Sequence, residues 1–162
     1  MQTIRTKPLA AAAFAPFGDV LEAAGTPDAL INAGLCARFH DRARLDFGPG
    51  GRAGMSIFNA HARALPYRLE LLERHPLGSQ AFIPMTAAPF LVIVAPNAGG
   101  TPGSPRAFLA APGQAINLLR GIWHGVLTPL ATPGLFAVID RIGPGANLEE
   151  FALPHAVTVI SD

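Results

Sequence analysis

Apolar residues in this chain come in short runs that alternate with polar ones, and nearly every run is closed by glycine or proline. Strict alternation places successive side chains on opposite faces of a strand, so this pattern predicts half-buried β-strands rather than long amphipathic helices. Segments 53–61, 67–75, 80–84, 90–95, 106–110, 115–120, 135–142 and 156–160 have strand character. Breaks at Pro16-Phe-Gly, Gly48-Pro-Gly-Gly, Pro96-Asn-Ala-Gly-Gly, Pro112-Gly, Pro133-Gly and Gly143-Pro-Gly separate them. Residues 9–15 are alanine-rich and stop at Pro16, which predicts one short helix. The glycine-rich tip at 97–104 reads as a mobile loop. The fold class expected is all-β: a barrel or jelly roll with one or few short helices.

Composition narrows the picture. A chain of 162 residues, half of them apolar, can bury a real core, and neither a linker nor a repeat divides it, so residues 1–162 are expected to form one domain. Lys and Arg number 12 against 11 Asp and Glu, spread along the chain, so no electrostatic footprint for nucleic acid or an anionic membrane is present. The N-terminus lacks the continuous apolar stretch of a secretion signal, and the longest apolar run, 89–96, is too short to cross a bilayer. A cytoplasmic protein acting on a small molecule is the expectation. Cys36 has no second cysteine to pair with, and is expected as a small buried hydrophobe rather than a catalytic thiol.

Candidate chemistry concentrates in Leu72-Glu-Arg-His-Pro-Leu-Gly-Ser-Gln-Ala-Phe-Ile-Pro-Met. On a strand Glu73 and His75 project to one face, and Tyr67, Leu69 and Leu71 share their parity, so an apolar face is expected to run into a carboxylate and an imidazole. Such a pair costs desolvation energy unless it is hydrogen-bonded, solvated or metal-bound. Arg74 has the opposite parity and is expected to face away. A second segment, Asn117-Leu-Leu-Arg-Gly-Ile-Trp-His, ends in His124 three residues after Gly121. Taken alone, His124 reads equally well as a hydrogen-bonded histidine beside Trp123.

The order and spacing of the two segments resemble the two motifs of the cupin superfamily, His-x-His followed by Glu and then Gly-x-x-His. Glu73 stands at the first histidine, His75 at the second, Gln80 at the glutamate, and Gly121 and His124 match the second motif. Ile31-Asn-Ala-Gly-Leu, Arg38-Phe-His-Asp, Met55-Ser-Ile-Phe, the block from Leu72 to Met85, Trp123-His and Ile139-Asp-Arg together resemble the ureidoglycolate lyase family. The resemblance implies a cupin-like barrel, a homodimer, and cleavage of ureidoglycolate to glyoxylate and urea in allantoin degradation. Members of that family commonly carry a second histidine where this chain has Gly125, and arginine where it has Asn59.

For that reaction Glu73 or His75 is the candidate base and His124 the candidate acid. Alternatively Glu73, His75, Gln80 and His124 hold a divalent ion, their mixed oxygen and nitrogen donors suiting Ni, Mn or Fe. Arg141 is the candidate anchor for the substrate carboxylate, with Ser56 and Gln80 as further substrate contacts. A salt bridge involving Asp140 or Arg141 is the alternative at that strand end. His40-Asp41 reads as a polar turn, a dimer contact or support for the site, and His61 and His155 as surface histidines. A noncatalytic carboxylate-binding sensor, or a metal-dependent cupin acting on another hydroxy acid, are the rival functions.

Overall fold

The computed structural model describes residues 2–162. In chain order it contains β1 (Gln2–Pro8), α1 (Ala11–Phe14), β2 (Gly18–Leu21), β3 (Ala29–Ile31), β4 (Cys36–Arg38), β5 (Arg52–Ala60), β6 (Tyr67–Arg74), β7 (Gln80–Pro84) and β8 (Phe90–Ala95). The second half contributes β9 (Asn97–Ala98), β10 (Thr101–Pro102), β11 (Arg106–Ala110), β12 (Ala115–Leu118), β13 (Trp123–His124), β14 (Thr128–Pro129), β15 (Gly134–Ile142) and β16 (Glu149–Ile160). The short helix is shorter than its alanine content predicted, and the tip at 97–104 is a small β9–β10 hairpin rather than an irregular loop.

Six strands close into a barrel in the order β11-β1-β16-β6-β13-β8, with β8 pairing back onto β11. Most neighbours are antiparallel, but β1 runs parallel to both β11 and β16. Inside the barrel one apolar cluster gathers Leu69, Leu72, Leu91, Ile93, Ala107, Trp123, Val157 and Val159. The second sheet, β2-β12-β7-β15-β5, packs on the outside of the barrel wall. A second cluster fills the space between: Val92, Val94 and Phe108 from the wall meet Phe82, Ile116, Leu118, Phe136 and Val138 from the sheet, and Phe14 of α1 closes one end. This is the nearly all-β barrel expected from the strand pattern, and it is consistent with the cupin-like fold that the motif resemblance implies.

Strand β6 departs from ideal alternation in a way that matters for the site. Tyr67 and Leu69 pack into the barrel cluster, yet so does Leu72, three residues later. The strand therefore changes face between Leu69 and Leu72, in the region where its register against β16 jumps between Ala152 and Val157. Glu73 consequently does not continue the face of Tyr67 and Leu69; it emerges on the outer side of the barrel wall, toward the second sheet. Arg74 takes the opposite side, stacked 4.6 Å over Trp123 and paired with Glu149. Cys36, expected in the core, is half-buried on the exposed β3–β4 hairpin.

Leu72 anchors the switched register from inside the barrel. Leu72→Ala is expected to lower the unfolding free energy by about 2–5 kcal/mol, as measured by urea denaturation.

Candidate active site

Two backbone contacts bring the candidate segments together. His124 on β13 is the register partner of Glu73 on β6, so the two side chains emerge side by side on the same face. One turn away, the N–H of Gly121 donates to the carbonyl of His75 at 2.9 Å. Gly121 sits at φ +76°, a left-handed conformation that disfavours any side chain, which explains a glycine three residues before the histidine. The segments thus meet as adjacent strands of one wall rather than from opposite sides of the barrel.

The result is a tight cluster. Glu73, His75 and His124 can each offer one electron-pair atom with all three atoms within 4.8 Å of one another. The two imidazole rings lie 5.3 Å apart at an interplanar angle of 37°. His75 Nδ1 faces the carbonyl of Asn147 at 2.7 Å, and His124 Nδ1 faces the carbonyl of Gly125 at 3.0 Å. A carbonyl only accepts, so each Nδ1 carries the proton and each Nε2 is left with a lone pair. Both Nε2 atoms are buried without a protein partner. On the facing sheet, Gln80 donates its amide Nε2–H to Asp140 at 3.2 Å, and its buried Oε1 likewise has no partner. Because a carboxylate cannot donate, Asp140 dictates which way that amide points.

Electrostatics follow from burial. Desolvation pulls the His124 pKa down to about 4, opposed by its bond to the Gly125 carbonyl and reinforced by neighbouring His75. The ring is neutral at pH 7, so its 3.9 Å approach to Glu73 is not an ion pair. Burial also raises the Glu73 carboxyl, with His75 opposing and Glu150 adding to the rise. With its Nδ1 on the Gly125 carbonyl, His124 offers its unpartnered Nε2 to the site. The donor set of two imidazole nitrogens and a carboxylate within 4.8 Å fits a divalent cation.

The remaining candidates lie elsewhere. Arg141 shares the side of Ile139, away from the cluster of Phe136 and Val138; its Nη2 donates to the carbonyl of Pro49 at 3.1 Å. Gly51, Gly78 and Gly143 close around that side chain, since a Cβ at any of them would come within 3.0 Å of it. Arg141 therefore staples two loops to the sheet. Ser56 faces the inter-sheet side opposite Val138, two strands from Gln80. His40 is exposed, with its ring 2.7 Å from Arg38, while its backbone N–H donates to Asp28. His61 and His155 are exposed as expected. A Cβ at Gly125 would lie 3.3 Å from Ile93, inside the barrel, so a histidine there would point away from this cluster. Asn59 is on the exposed outer side of the second sheet with Met55 and Ile57. Asp140 and Asn147, which orient Gln80 and His75, carried no spacing signal; Asn147 sits in a Gly-Pro-Gly-Ala-Asn stretch that reads only as a turn.

A cupin-like barrel with a carboxylate, a half-buried imidazole and a buried one converging on its wall has the makings of a small-molecule enzyme rather than a structural module. The chain matches the ureidoglycolate lyase family model over residues 1–160 and belongs to that family. It is 62% identical to the ureidoglycolate lyase of Rhodobacter capsulatus over 98% of this chain and 99% of that protein. Ureidoglycolate lyase 2 of Rhizobium meliloti is 51% identical over 93% and 94% of the two chains, and a Burkholderia mallei ureidoglycolate lyase 44% over 100% and 96%.

The His124 environment has a thermodynamic signature. Below pH 6.5 the unfolded ring takes up a proton that the folded ring refuses until about pH 4. Stability should therefore fall as pH drops through this window, by up to about 3 kcal/mol. Denaturant unfolding at stepped pH is expected to show a flatter profile between pH 6.5 and 4 for His124→Gln.

Proposed function

We propose that the protein is a ureidoglycolate lyase that cleaves ureidoglycolate to glyoxylate and urea, with the whole chain acting as one cupin-like domain. The observation that carries this reading is the convergence of Glu73, His75 and His124 within 4.8 Å in a chain that matches the family from residue 1 to 160.

Cleavage requires the hydroxyl proton to leave as the carbonyl forms, and the urea nitrogen to gain a proton as the carbon–nitrogen bond breaks. Glu73 suits the first of these transfers, because its carboxylate has no donor clamped to it. Burial raises its pKa, so that it holds the proton well enough to pass it to the departing nitrogen. His75 and His124 each keep a buried Nε2 without a protein partner. Gln80, its amide turned by Asp140, directs its carbonyl oxygen to N–H groups or to a cation. In the alternative arrangement a divalent ion held by Glu73, His75, His124 and Gln80 would polarise the hydroxyl, and Glu73 would then serve as a ligand rather than as the base. Of the neighbouring guanidiniums, Arg74 is paired with Glu149 and Asn97 and Arg120 is bidentate to Asp46, whereas Arg141, on the other side of the second sheet, gives only Nη2 to Pro49 and keeps Nε and Nη1 buried without a partner.

The same reading places the protein in the cytoplasm as a homodimer, without nucleic-acid or membrane partners; among the described residues no helix is long and apolar enough to span a bilayer. The dimer is supported by the outer side of β5, an edge strand on which Met55 is 71% and Ile57 59% exposed.

Purified protein incubated with ureidoglycolate should release glyoxylate and urea in equal amounts, and Glu73→Gln should lower kcat by about 100-fold or more without loss of folding. In the metal-held arrangement chelation should abolish turnover, and readdition of Ni, Mn or Fe restore it. Release of ammonia in place of urea would contradict the assignment. In sedimentation, the wild type should run at the mass of two chains and Ile57→Glu at that of one.

A further inference from the structure

Asn147 lies in the glycine- and proline-rich loop between β15 and β16, and it makes two contacts that converge on one catalytic candidate. Its backbone carbonyl accepts the Nδ1–H of His75 at 2.7 Å. Its side-chain Oδ1 accepts the backbone N–H of Leu77 at 2.8 Å. Leu77 belongs to the turn that carries the chain from His75 to Gln80, so the side chain of Asn147 ties its own loop to the turn beginning at the ring its backbone orients. The rest of the loop is exposed at Gly143, Pro144, Gly145, Ala146 and Leu148. Gly145, at φ +95°, brings its backbone close to Leu77, where a Cβ would lie 2.8 Å from Leu77 Cδ1.

We infer that Asn147 is a positioning residue for the lyase reaction, which locks His75 as the Nδ1–H tautomer and so keeps its buried, unpartnered Nε2 as the acceptor that this ring brings to the cluster with Glu73 and His124. The physical logic is that of a carbonyl behind a ligand or base: the carbonyl can only accept, so it assigns the ring proton and the ring's rotation together. The clamp on Leu77 keeps that carbonyl in place. Without it, the loop lacks a polar tie to the turn, the 2.7 Å bond lengthens, and the ring is free to place its proton on Nε2 or to rotate away. The role in catalysis rests on the lyase reading; the tautomer does not.

Long-range proton–nitrogen NMR of the histidine rings tests the tautomer directly, on protein as purified and after chelation. The expected result is an Nδ1–H pattern for His75 in the wild type under both conditions, replaced in Asn147→Ala by the Nε2–H form or an average of the two once metal is removed. Turnover should fall about 10-fold or more in kcat, the usual effect of losing such support, with KM changing by less than about threefold. Asn147→Asp, which keeps an oxygen to accept from Leu77, should recover most of both signals and remains informative if the alanine variant folds poorly. An Nε2–H pattern in the metal-free wild type would overturn the inference, as would an Asn147→Ala variant that keeps the Nδ1–H pattern and kcat within about twofold. Absence of ureidoglycolate turnover in the wild type, with the Nδ1–H tautomer intact, would instead count against the lyase reading alone.

Discussion

The pairing of β13 against β6 is the constraint on which the rest of the site depends. It sets Glu73 beside His124, and the Gly121 N–H to His75 carbonyl bond fixes the neighbouring turn. Neither contact involves a functional side chain, which leaves those side chains free for chemistry. The pairing is useful only because β6 changes face just before it. Had the strand kept the alternation that buries Tyr67 and Leu69, Glu73 would project into the apolar barrel interior with Trp123, where no polar partner could reach it. A local irregularity in the sheet, held by Leu72 and Phe151 from within, thus decides on which side of the wall the chemistry sits.

What emerges on that side is a set of electron-pair donors. Two backbone carbonyls and one carboxylate each take an N–H from His75, His124 or Gln80, and by doing so leave Nε2, Nε2 and Oε1 without partners. Buried acceptors left in this state are costly in an apolar setting, so two of them on imidazole rings 5.3 Å apart are a signature of a site whose satisfaction comes from a ligand. The chemistry that satisfies them is a cation or the N–H groups of a urea moiety. Both belong naturally to an enzyme acting on ureidoglycolate, a substrate with an ureido group at one end and a carboxylate at the other.

Much of this was legible in the linear pattern, for physical reasons that also explain the gaps. Strands with one or both faces on a core, such as β7, β8 and β11, alternate or run apolar, and they lie at the predicted positions. Strand β1 was missed because in Gln2–Pro8 only Thr6 is buried, and the first half of β16 because charged residues and Pro154 interrupt it. The cluster itself was legible at Glu73, His75 and His124, where two motifs carry the residues. Parity could not see the face change in β6, and the glycine cradle around Arg141 depends on contacts between distant loops. Orienting residues such as Asp140 and Asn147 act through carbonyl and carboxylate positions that no spacing announces.

The most direct test of the central claim is a crystal structure of the protein soaked with glyoxylate. The expected result is glyoxylate between the barrel wall and the second sheet, within hydrogen-bonding or metal-bridged reach of Glu73, with His75 Nε2 and His124 Nε2 both turned toward it. Glyoxylate bound instead on the opposite side of the second sheet beside Arg141, with the Glu73 cluster unchanged, would contradict the account.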